Sequence, residues 1–272
     1  MVNNQVQEGQ NARLAGFALA TDKAIKECID LVKSVRTPAQ KICLGLMVRL
    51  HKLGGAIIRN GKQGDGLTTM ILVRSYYETS LTLVYLLANF TNELFDEFVL
   101  TDAMRRRDIA DFYKKDLASE SPIKPKVTAR AVSDLEKSIQ ADGYTIATLP
   151  KSRPTGSWHR SVSYARMASS LGDMAEDVFV TAYNMSSNFV HPSWSDIRHS
   201  HLKEYMLRPG DFFANNEHTS VESDLYIGFC VCMGLSACSP YAQRFSEGGG
   251  QAKKFEDLHK AFHRDFNSQD IV

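Results

Sequence analysis

The sequence predicts an all-α fold, an antiparallel helical bundle, and three observations predict it. Apolar residues recur three and four apart along most of the chain, the rhythm of a helix with one buried face. No run of alternating β-branched residues appears, and no Asn-Gly or Asp-Gly pair sits between two apolar strands. Proline and glycine gather between the periodic segments, where helices stop. Asp142-Gly143 is followed only by the short YTIATL, enough for a brief extended piece.

A first helix is expected over Asn11 to Val35, where Ala18, Ile25, Cys28, Ile29 and Val32 set the apolar rhythm. Thr37-Pro38 begins a second, with proline in the first turn, where its missing N–H costs nothing. That helix runs through Ile42, Leu46, Leu50 and Leu53 to about Ile58, and Asn60-Gly61 and Gly64-Asp65-Gly66 break it. The third, Leu67 to Phe90, is apolar on nearly every face and is predicted to be central. One face carries Leu67, Met70, Ile71, Arg74, Tyr77, Glu78, Leu81, Val84 and Tyr85. A fourth, Glu93 to Leu117, is expected to turn Phe95, Phe98, Val99, Ile109 and Phe112 inward.

Ser121-Pro122 and Lys124-Pro125 interrupt the chain, and a shorter helix follows from about Thr128 to Gln140. Ala141 to Arg160 reads as a surface or lid-like loop. A sixth helix is expected from Ser163 to Val190, ending at His191-Pro192 because proline cannot continue it. Ser193 to Glu222 reads as mostly irregular. A strongly apolar seventh helix covers Val221 to Phe245, and an amphipathic last one covers Lys253 to Phe266. The expectation is one α-helical domain over 1–272, its core at about 20–240 and a C-terminal helix at about 252–266.

The chain has 272 residues, 43% of them hydrophobic, so it can bury a core. Lys and Arg number 32 against 31 Asp and Glu, and the net charge of +1 gives no global pull toward nucleic acid or an anionic membrane. The five cysteines, Cys28, Cys43, Cys230, Cys232 and Cys238, form no CxxC. Cys230 and Cys232 sit two apart on a helix and point away from each other. Buried reduced thiols are expected, with no zinc site, no other metal and no cofactor. No apolar run approaches the roughly 20 residues of a membrane span, and the N-terminus lacks a signal-peptide pattern. A cytoplasmic, non-membrane protein is the expectation.

Three constellations are candidates for chemistry. Arg74 and Glu78 are four apart on an otherwise apolar face, and a charge there needs a partner. They form either a structural ion pair fixing helix register or the lining of a site, with Tyr77 beside them. The second is YNMSSNFVHPSW, Tyr183 to Trp194, in which Asn184, Ser187 and His191 stack on one face. An imidazole at a helix C-terminus is suited to acid–base work or phosphate contact, or it caps the helix end.

The third constellation is basic. Residues 104–130 hold Arg105, Arg106, Arg107, Lys114, Lys115, Lys124, Lys126 and Arg130 against Asp108, Asp111, Asp116 and Glu120. Lys151, Arg153, Arg160 and Arg166 follow with no acid between them, and Trp158 and His159 interleave. That mixture suits an RNA- or phosphate-binding surface, or a solvated helix face. His199 and His201 lie near His191, but a loop His-Ser-His without a third ligand is a weak metal signal.

The RSYYETSLTLVYLL segment, Arg74 to Leu87, resembles the Arg-x-x-x-Glu…Tyr-Leu helix of a bacterial domain-of-unknown-function family, number 5677 in that series. The segment from Trp158 to Trp194 resembles the family's second signature: a Trp, a helix, then Tyr, Ser and His-Pro-Ser. The resemblance covers about residues 20–240. That family looks related to HEPN domains, all-α bundles that are usually homodimeric. Many of these are metal-independent ribonucleases of toxin–antitoxin and phage-defence systems. The resemblance implies a HEPN-like ribonuclease or nucleotide-handling effector of bacterial defence or stress, with RNA or a nucleotide as ligand. It also implies a dimer, with an antitoxin or another protein as partner.

By that resemblance His191 acts on the 2′-hydroxyl or the leaving oxygen; the motif's own arginine is missing here, and Arg74 is expected to supply that cation from a neighbouring helix, with Glu78 orienting Arg74 or His191. Asn184, Ser187, Tyr77, Trp158, Arg153 and His159 are the residues expected to line the substrate. The chain departs from the HEPN motif of an Arg, four to six residues, then His. Asn184 stands seven before His191, and the pair that keeps the spacing, Arg153 and His159, lies in a Pro/Gly-rich loop. The competing reading is a non-catalytic helical binding module with a structural Arg–Glu pair.

Overall fold

Eight helices and one two-stranded ribbon make up the described part of the chain in the computed structural model. The structure describes residues 2–32, 37–63, 65–119, 124–151, 163–172, 202–204, 212–214, 223–246 and 249–267. In chain order the elements are α1 (Val2–Leu31), α2 (Pro38–Lys62), α3 (Gly66–Ala88), α4 (Asn92–Leu117), α5 (Pro125–Ala141), α6 (Tyr164–Ser170), β1 (Leu202–Glu204), β2 (Phe212–Ala214), α7 (Ser223–Phe245) and α8 (Gly250–Asn267). The all-α expectation holds, and no described helix is long and apolar enough to cross a membrane.

Local chemistry sets the starts of four of the eight described helices. Thr37 caps α2 in a reciprocal box: its hydroxyl accepts from the Gln40 N–H at 3.2 Å, and the Gln40 side chain accepts from the Thr37 N–H at 3.1 Å. Asp65 caps α3 through the Thr68 N–H at 3.0 Å, and Thr91 caps α4 through the Leu94 N–H at 3.2 Å. Helix α5 starts at Pro125, three residues earlier than expected, because proline at the first position is already shaped for a helix. Lys124 before it is left-handed at φ 46°.

The stretch expected to be irregular contains β1 and β2, antiparallel, with Leu202 opposite Ala214 and Glu204 opposite Phe212. With three residues per strand, the ribbon escapes an alternation test, which needs about four to eight residues. The expected sixth helix is described only over Tyr164–Ser170. Its remainder lies outside the described residues.

The residues group into two compact units, Met1–Asn89 with Tyr164–Val272, and Phe90–Ser163, where one domain was expected. In the larger unit α3 is central, packing on α2 and α7, while α7 also packs on α1 and α8. On α2, Ala39, Cys43, Met47, Leu50 and Ile57 make one buried stripe. On α3, Met70, Val73, Tyr76, Tyr77, Leu81, Leu83 and Leu86 are buried, which confirms the central placement read from its all-round apolarity. Ser80 donates to the Met233 carbonyl at 2.7 Å and Arg49 to the Thr79 hydroxyl at 3.0 Å, tying α3 to both neighbours.

Gly234 lets α7 come close. A Cβ there would lie 2.3 Å from the Tyr76 hydroxyl and 2.7 Å from the Thr21 methyl. Helix α8 is fastened to α1 by Lys254–Glu27 at 2.6 Å and by an edge-to-face contact of Phe17 with Phe262.

In the smaller unit α4 and α5 pack around Ala103, Met104, Ile139 and Leu149, with Leu100 and Tyr144 alongside. Phe95 is buried as expected, but Ile109 and Phe112 face outward, Phe112 at 68% exposure. The buried stripe instead runs through Thr101, Ala103, Met104 and Ala110. The small side chains of Ala103 and Ala110 suit close approach of two helices, while Ile109 and Phe112 are left outside.

Candidate functional site

The Arg74–Glu78 pair forms as the spacing requires. Arg74 Nε donates to Glu78 Oε1 at 3.1 Å, one helical turn apart on α3. Both side chains are half-buried, at 17% and 27% exposure. Ile71, one turn before Arg74, is exposed, while Met70 and Leu81 on the same side of α3 are buried. Tyr77 turns into the core at 2% exposure, where its ring packs instead of lining an open surface.

The remaining residues expected at the site, His191, Asn184, Ser187, Trp158, Arg153 and His159, lie outside the described residues. So do His199 and His201.

Much of the described basic segment is committed to internal pairing. Arg106 bonds Ser138 and Asp142, linking α4 to α5 and to the turn after it. Arg107 donates to the Pro150 carbonyl and pairs with Asp108. Lys114 meets Glu136 at 2.7 Å, and Arg130 lies 3.8 Å from Asp134. Arg106 and Arg107 are mostly buried in these contacts, whereas Lys114 and Arg130 stand in exposed pairs, at 42% and 86% exposure.

A second constellation escaped the sequence reading. Cys232 on α7 faces His259 and His263 on α8. Its Sγ is 3.7 Å from Nε2 of each, and the two Nε2 atoms are 3.0 Å apart. The Ser236 hydroxyl donates to the Cys232 carbonyl at 2.9 Å and lies 3.4 Å from His259 Nε2. Ala252, Phe255 and Phe262 on α8 are buried, and this stripe carries His259 into the α7 contact. Burial first, then the neighbouring His263, pushes His259 down to about 4, so its imidazole is neutral at physiological pH. Burial pushes the Cys232 thiol up to about 11.

Among the described residues these three are the group able to hold a metal, their donor atoms all lying within 4.8 Å of one another. The sequence signal was His259-x-x-x-His263, two imidazoles one turn apart. Such a pair is short of a metal signature by itself, because the third donor comes from another helix.

Fold and site define an all-α protein with a half-open Arg–Glu pair on its central helix. The chain belongs to the family of unknown function DUF5677, whose profile matches residues 40–205. Comparison with curated proteins and with solved structures returns no match. The family's span includes Arg74, Glu78 and the segment from Trp158 to Trp194.

Proposed function

We propose that the protein is a HEPN-like effector that handles RNA and cleaves it without a metal. His191 serves as acid and base, and Arg74 holds the scissile phosphate. The observation that supports this most is the Arg74–Glu78 pair. A guanidinium fixed by its own carboxylate loses less freedom on meeting a phosphate, and its planar fork suits bidentate contact. Breaking an ion pair costs more than exchanging it for apolar packing, so a pair retained on an apolar helix invites a role beyond stability. The span of the family profile, which takes in both motif segments, supports treating them as one unit. By the same resemblance the protein acts in the cytoplasm as a homodimer, with an antitoxin-type protein as partner.

A second reading is a non-catalytic RNA- or protein-binding module. It is favoured by Asn184, which stands seven before His191 where the motif calls for arginine.

The test is incubation of the purified chain with total RNA and defined oligonucleotides in EDTA, comparing wild type with His191→Ala and Arg74→Lys. Cleavage is expected, falling by about 10²–10⁴ in His191→Ala, the usual contribution of a general acid–base. Retained RNA binding without cleavage establishes the second reading. Neither RNA binding nor cleavage, in a chain with full helical dichroism and of dimeric size by light scattering, overturns the first reading and the RNA-binding form of the second.

A further inference from the structure

We propose that Cys232, His259 and His263 form a binding site for a zinc-class divalent cation, with water in the fourth position, that clamps α8 onto α7. The geometry carries the inference. With Zn–S near 2.3 Å and Zn–N near 2.0–2.1 Å, a tetrahedral ion sets S···N at about 3.6 Å and N···N at about 3.3 Å. The observed separations are 3.7, 3.7 and 3.0 Å. A movement of a few tenths of an ångström in one imidazole completes the site.

The donor set excludes the hard cations. One thiolate and two imidazoles suit zinc and its borderline neighbours, whereas calcium and magnesium take oxygen ligands. Three protein donors leave one coordination position over, as in sites that keep a bound water. Both imidazoles are half-buried, which leaves a path for the ion. The two helices supply complementary parts. His259 and His263 project from successive turns of α8 and act as a rigid chelate, and Cys232 answers from α7 across the interface.

Cation-free, the same three groups are poorly matched to one another. One proton between His259 and His263 satisfies a single Nε2···Nε2 contact, and Cys232 offers a weak donor to both rings. A cation satisfies all three lone pairs at once. The site uses none of the residues assigned to RNA and does not rest on that reading.

The experiment is a Co²⁺ titration of the full chain, freed of any affinity tag and stripped with chelator, followed by absorbance. Saturation at one Co²⁺ per chain is expected, with tetrahedral d–d bands and a thiolate charge-transfer band, all displaced by Zn²⁺. Cys232→Ser should remove the charge-transfer band. His263→Gln should weaken binding by more than the roughly 10–100-fold that loss of a supporting group costs. Because His263 is half-buried, its variant should keep wild-type helical dichroism, so loss of binding there reports the site and not the fold. Zn²⁺ should raise the melting temperature of wild type and leave that of His263→Gln unchanged. The proposal is overturned if folded wild type shows no saturable binding, or if both variants bind with unchanged affinity.

Discussion

Replacing Gly234 with alanine tests the packing at the centre of the larger unit. Tyr76 projects from α3 between two glycines. Gly54 of α2 would place a Cβ 3.4 Å from its ring, and Gly234 of α7 would place one 2.3 Å from its hydroxyl. The second value lies far inside the 3.0 Å below which real Cβ contacts essentially never fall. The Thr21 methyl, 2.7 Å away, blocks retreat toward α1, and Tyr76 itself is only 2% exposed.

Alanine in a helix interior gains about 1 kcal/mol over glycine, but forcing a methyl into a filled core costs about 1–3 kcal/mol and occasionally more. With two contacts under 3.0 Å the cost falls at the upper end, and a net loss of about 1–2 kcal/mol is expected. At about 2–4 °C per kcal/mol for chains of this size, the melting temperature should fall by about 2–8 °C.

Gly45→Ala is the control. It sits mid-helix on α2, exposed, with nothing within 4 Å of its Cβ. It should raise stability by about 0.5–1 kcal/mol. Calorimetry of both variants, with Gly234→Ala also combined with Tyr76→Phe, completes the test. Removing the hydroxyl should recover part of the loss as a coupling energy. A Gly234→Ala protein as stable as wild type, or one that shifts in the same direction as Gly45→Ala, refutes the close-packing account.

Two further outcomes follow from the same geometry. Arg106→Ala should destabilise by about 1–3 kcal/mol, since it strips a charged partner from Asp142 and Ser138 together, whereas Arg105→Ala, on the exposed side of α4, should stay within about 0.5 kcal/mol; denaturant unfolding measures both. Cys43 is held up to about 12 by burial, so in the folded protein at pH 8 it should label with iodoacetamide far more slowly than in denaturant; equal rates in both states would show the site to be open.

Most of the fold was legible because helices announce themselves locally. The caps at Thr37, Asp65 and Thr91 are three-residue events, and the starts of α2, α3 and α4 fall within a residue or two of the expected ones. The all-round apolarity of 67–90 identified the central helix before any contact was known. The spacing of Arg74 and Glu78 dictated their ion pair.

What the spacing left open was which way a face turns. Ile109 and Phe112 looked like core and face outward, because apolarity marks a residue that can be buried, while the neighbouring helix decides which stripe is. The Cys232–His259–His263 cluster lay furthest from the sequence's reach. The chain itself determined a helical protein with an Arg–Glu pair and an i, i+4 histidine pair, since those depend on residues one turn apart. Only the tertiary structure decided that a cysteine 27 residues away completes the histidine pair, because that contact exists solely through the docking of α8 on α7.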